Sequence, residues 1–99
     1  MLWRHGDVLL ASTENIPAGA VPLSHTVLAK GEITGHSHRI AEPGAATLWE
    51  LNGLLYLKVS AESATLMHEE HKPIVLPGGF YRVWQQREYT PAQIRRVMD

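Results

Sequence analysis

The stretch Ala46-Thr47-Leu48-Trp49-Glu50-Leu51-Asn52-Gly53-Leu54-Leu55-Tyr56-Leu57-Lys58-Val59-Ser60 decides the architecture. Asn52 and Gly53 both tolerate positive φ and separate two apolar-rich runs, which predicts a two-residue type I′ hairpin turn. In the second run Leu55, Leu57 and Val59 share one face, while Tyr56, Lys58 and Ser60 share the other. That is the pattern of a half-buried strand.

Outward from this hairpin, glycine and proline punctuate the chain at Pro17, Gly19, Pro22, Gly31, Gly35, Pro43-Gly44, Pro73 and Pro77-Gly78-Gly79. Such spacing suits short strands and leaves no room for long helices. Further strands are expected over Asp7–Ala11, Ser24–Lys30, Gly35–Ala41, Ala64–His68, Ile74–Leu76 and Phe80–Arg87, rich in β-branched and aromatic residues. The expected fold is all-β, a small single-domain barrel or sandwich covering residues 1–99. One short C-terminal helix should close it, because Thr90-Pro91-Ala92-Gln93 reads as an N-cap, a first-turn proline and a capping-box glutamine. The helix would run to about Met98 and pack through Ile94 and Val97.

The 99 residues contain no cysteine, six histidines, nine Lys or Arg and ten Asp or Glu, for a net charge of −1. Without thiolates, a tight metal site must be built from imidazole and carboxylate. The balanced charge supplies no general attraction to nucleic acid or to an anionic membrane, so both are expected to be absent as partners. No run approaches the length of a membrane helix, and a cytoplasmic protein is expected. A domain this small gains from a bound metal or a partner subunit, which makes a homo-oligomer the expected assembly.

Four histidines fall in two tight pairs, His36-Ser37-His38 and His68-Glu69-Glu70-His71. Residues two apart on a strand project from one face, so His36 and His38 form a two-nitrogen half-site. His68 and His71 converge if the chain turns through Glu69-Glu70. Together they form a candidate site for a divalent ion, zinc first, with iron, nickel or copper also tolerated. The competing reading is four hydrogen-bonded or surface histidines on opposite sides of the barrel. His25 is a weaker candidate, brought across from His36 and His38 by a hairpin near Lys30-Gly31. His5 reads as a packing or solvent-facing residue.

The run Gly31-Glu32-Ile33-Thr34-Gly35-His36-Ser37-His38-Arg39-Ile40-Ala41-Glu42 resembles a compressed first motif of the cupin superfamily. Pro77-Gly78-Gly79-Phe80-Tyr81-Arg82 resembles the second cupin motif, with Arg82 standing where that family places its last histidine. The resemblance implies a cupin-like β-barrel holding a metal through His36 and His38. It offers Glu42 as a further ligand and His68 or His71 as the replacement for the missing one. The combination Gly-His-x-His, His-Glu-Glu-His and Leu-Pro-x-Gly-x-Tyr-Arg-Val also resembles small bacterial or phage proteins without an assigned activity.

Three protein ligands on zinc leave a position for water, whose pKa can fall to about 7. The chemistry expected is therefore metal-dependent hydrolysis of a small-molecule substrate, with Glu70 as general base and Arg82 as oxyanion contact. An iron-dependent oxygenase of cupin type is the chemical alternative. A non-catalytic module stapled or assembled by its metal is the other, favoured if four histidines close the coordination. Trp3, Trp49 and Trp84 are read as packing or subunit-contact residues rather than base-stacking platforms. Serine-hydrolase, phosphate-loop and dinucleotide motifs do not occur.

Overall fold

The computed structural model describes residues 1–31 and 35–86. Eight strands follow in chain order: β1 (Leu2–His5), β2 (Val8–Thr13), β3 (Val21–Pro22), β4 (Val27–Lys30), β5 (Ser37–Ile40), β6 (Ala46–Leu51), β7 (Leu54–His68) and β8 (His71–Gln85). All pairings are antiparallel. The central path runs β1-β2-β8-β7-β5-β4, with β6 and then β3 branching from β7. The sheet curls into a half-barrel, and the expected all-β class holds. The expected C-terminal helix lies outside the described residues, as does Arg87 at the end of the last expected strand. No helix among the described residues is long and apolar enough to cross a membrane.

The deciding hairpin forms as read. Leu51 pairs with Leu54 across a turn in which Asn52 has φ 52° and Gly53 φ 81°. Leu57 and Val59 then face the core with Leu48, Ala46, Tyr81 and Val83, while Lys58 faces solvent. Leu10, Leu48, Leu57, Leu66 and Leu76 lose all solvent contact. Each such side chain contributes about 1.5–3 kcal/mol relative to an exposed one.

The long strands depart from expectation. Leu54–Ser60 and Ala64–His68 are one fifteen-residue strand, and Ile74–Leu76 merges through Pro77-Gly78-Gly79 with the expected strand from Phe80, as far as Gln85, into another. The proline and glycines, expected to end a strand, instead bend one. Between the pairs Val59–Gly79 and Ser63–Pro77, β7 advances four residues while β8 advances two, the signature of a bulge. Gly78 is required there, since a Cβ would stand 2.7 Å from the Ala61 carbonyl oxygen. Pro77 needs no ladder donor at such a corner, and its carbonyl accepts the Tyr81 hydroxyl. The corner divides β7 in two: Leu54–Val59 lies between β6 and β8, and Leu66 and Met67 lie between β5 and β8. With the sheet bent at this point, the tip of the β7–β8 hairpin meets the β1–β2 turn, where the histidines gather.

Candidate metal centre

Three chain segments bring imidazoles to this meeting point. Glu69 and Glu70 form a two-residue turn that places His68 directly opposite His71. On β5, adjacent to β7, His38 points inward and is 2 % exposed. The end of β1, just before its turn into β2, supplies His5, which is 3 % exposed. Ring centroids stand 4.4 Å apart for His38–His68, 4.8 Å for His68–His71, 5.0 Å for His5–His38 and 5.8 Å for His36–His68.

Two overlapping groups offer ligand atoms within 4.8 Å of one another and could hold a metal ion: His38 with His68 and His71, and His36 with His68 and Glu69. Nitrogens in a tetrahedral zinc site are about 3.3 Å apart, so a modest inward closure of the rings completes the first group. Glycines make room on both sides. A Cβ on Gly6 would lie 2.6 Å from His71 Nε2 and 3.1 Å from His38 Cε1, and one on Gly31 would lie 2.9 Å from His68 Nε2. Gly6 also has φ +63°, which glycine adopts at no steric cost.

Hydrogen bonds set the protonation pattern. His5 Nε2 donates to the Lys72 carbonyl at 2.9 Å, and a carbonyl can only accept. A neutral His5 therefore presents Nδ1 as an acceptor, and the 2.9 Å contact between the two Nδ1 atoms assigns the proton of His38 to its Nδ1. His38 Nε2 is left with a lone pair 3.4 Å from Asp7 Oδ1. Two electron-rich atoms facing each other at that distance suit an intervening cation. Burial, followed by the neighbouring His68 and His5 rings, holds His38 down at about 4, so it is neutral, the ligand form, at neutral pH. Burial likewise lowers His5. Asp7 is fixed in turn by a 3.1 Å bond from Gln85 Nε2. His68 Nδ1 accepts the Glu70 N–H at 3.0 Å, which puts the proton of its neutral ring on Nε2. Ligation through Nε2 would move that proton to Nδ1 and release the Glu70 amide.

The second group is less available. Glu69 Oε1 already accepts the Ser37 N–H at 3.1 Å and Oε2 pairs with Arg39 Nη1 at 3.0 Å. The Ser37 bond first, then Arg39, holds the Glu69 carboxyl at about 2. His36 Nδ1 is buried without a hydrogen-bond partner among the described residues, with Glu70 Oε2 at 3.5 Å.

All four histidines read from the two pairs thus meet, but in two groups that share His68. Glu70 lies beside them at the hairpin tip. Arg82 is not brought to the imidazoles: its guanidinium carbon lies 5.2 Å over the Trp84 ring, on the face opposite the core residues Tyr81 and Val83. Glu42, offered as a ligand by the cupin resemblance, instead clips β5 to β7 by accepting the Thr65 N–H at 2.8 Å and the Thr65 hydroxyl at 2.6 Å. His25 is exposed and accepts the Val27 N–H. His5, read as a packing or solvent-facing residue, is a packing one, buried against His38, and Asp7 and Gln85 carry contacts that the sequence reading did not single out. The signal for His5 and Asp7 was available only as His5-Gly6-Asp7, two ligand-type residues flanking a glycine, and Gln85 had none.

Fold and cluster define a small β protein with imidazoles gathered where a bent hairpin returns onto a neighbouring turn. Residues 4–86 match the family described as a domain of unknown function, DUF8820, and the chain belongs to that family. No curated protein and no solved structure matches the chain.

Proposed function

We propose that this chain is a divalent-metal protein, zinc being the first choice, in which His38, His68 and His71 hold the ion and hydrolysis of a small-molecule ester, amide or phosphoester is the reaction served. One observation carries the reading: three imidazoles, His38 from β5 and His68 and His71 from the β7–β8 hairpin, offer ligand atoms within 4.8 Å of one another. An ion held by three nitrogens supplies a Lewis acid and a water of pKa about 7. Asp7 faces His38 Nε2 and offers an oxygen donor beside the ring. His5 orients His38 by accepting its Nδ1–H, the role a ligand-orienting hydrogen bond plays in metal sites. Glu70, exposed at the tip, is the candidate for taking a proton. Cytoplasmic location, assembly as a homo-oligomer and the cupin-like relationship belong to the same proposal.

A second reading has its own support. His5 and His36 raise the number of neighbouring imidazoles to five, enough for nitrogen to close the coordination and make the metal a staple rather than a reagent. Elemental analysis of untagged protein should give close to one zinc per chain, lost in the His38→Ala/His68→Ala variant. An ester and phosphoester panel should show turnover that chelator abolishes and zinc restores. Metal without turnover selects the staple, and a metal-free, folded parent ends both readings.

A further inference from the structure

The sheet has a second face. Alternation that sends Leu57, Val59, Tyr81 and Val83 into the core sends their neighbours the other way. On that outward side lie Arg4, Lys58 and Arg82, all exposed, and Trp49, Phe80 and Trp84, all partly exposed. Register sets cations beside rings: Lys58 is opposite Phe80, and Tyr56 lies between Trp49 and Arg82. Arg82 stacks over Trp84. Leu9 and Tyr56 are buried here but stand apart from the core cluster, so this side has its own apolar floor.

No Asp or Glu occupies an outward position on β1, β2, β6, the Leu54–Ser60 half of β7 or the Gly79–Gln85 half of β8. This is so in a chain with ten acidic residues against nine basic. The net charge of −1 therefore conceals a segregated surface among the described residues: one face is basic and aromatic, and the described carboxylates lie off it.

We infer that this face binds single-stranded nucleic acid, with Arg4, Lys58 and Arg82 meeting phosphates and Trp84 and Phe80 stacking on bases. Three cations without an intervening carboxylate complement a polyanion, and rings on a sheet supply stacking that every base can use. A second copy of the same face would oppose like charges. Residues 87–99 contain three arginines, one glutamate and one aspartate, a net of 3 − 2 = +1, which does not complement the face either. The inference does not rest on the metal centre.

The test is fluorescence anisotropy of the full chain with labelled twelve-nucleotide oligothymidine and oligouridine, with chelator present. Three phosphate contacts predict a slope of about −2 for log K against log salt, or about a fifteenfold loss between 50 and 200 mM. Arg82→Glu and Lys58→Glu, both at exposed positions, should each weaken binding about tenfold or more. Trp84→Leu should weaken it about tenfold while leaving the salt slope unchanged. Absence of binding at 50 mM salt overturns the inference, as does binding indifferent to both charge reversals. Equal binding of heparin or of phosphatidylserine vesicles, unaffected by Trp84→Leu, overturns it in favour of a generic anion surface. His38→Ala/His68→Ala should leave oligonucleotide binding intact.

Discussion

β7 carries a two-residue turn at each end, and the two are held by different physics. Asn52-Gly53 adopts its conformation from its own residues, both at positive φ and both exposed. At Glu69-Glu70 neither residue has positive φ, and the turn is held from outside. The Ser37 amide and Arg39 grip Glu69, the Glu70 amide rests on His68 Nδ1, and the Lys72 carbonyl beyond the turn accepts from His5. A turn specified locally serves to build the sheet. One specified by partners from two other strands can respond to what binds among them.

The largest separation between the two ends should come from metal. Replacing His68 with Ala should abolish zinc binding. It should also remove the zinc-dependent stabilisation, about 2.7 kcal/mol at a hundredfold excess over Kd, as read by thermal melts with and without zinc. Asn52→Ala should preserve both. Zinc stabilisation that survives His68→Ala would move the ion away from the hairpin tip.

Gly6→Ala and Gly53→Ala sharpen the contrast. Both positions have positive φ, at +63° and +81°, so each substitution should cost about 1–2 kcal/mol in urea unfolding. Only at Gly6 does the new Cβ meet a ring, at His71 Nε2, whereas Gly53 faces open space. Zinc affinity should therefore fall in the first variant alone. Asn52→Ala, with φ 52°, should cost about 1 kcal/mol with no change at the imidazoles.

The smallest effect concerns Glu69, which is exposed and therefore screened. Its carboxyl is held at about 2, below the ordinary 4.5. The stability it lends is complete above pH 4.5 and is lost as pH falls from there towards 2. Glu69→Gln should flatten that part of an unfolding-midpoint profile. A profile indifferent to Glu69→Gln would show that the Ser37 and Arg39 contacts do not hold the turn.

Strand pattern and turn chemistry are local properties, and they were readable from neighbouring residues. The all-β class, the Asn52-Gly53 hairpin and the partnership of His68 with His71 follow from alternation and spacing alone, whereas His36 and His38, expected to form one half-site, fall into different groups. What joins the pairs does not follow in this way. Pro77-Gly78-Gly79 has the composition of a stop, and it becomes a bend only because Gly78 lies against the Ala61 carbonyl on the opposing strand. That bend carries His68 and His71 to His5 and Asp7, residues more than sixty positions away that no short-range pattern connects to them. Charge sorting has the same origin. A count of nine against ten says nothing about faces, because the pleat assigns each side chain to one side or the other only after strand register is set. Periodicity is written one residue after the next, whereas convergence depends on contacts between distant segments, and those exist only in the folded chain.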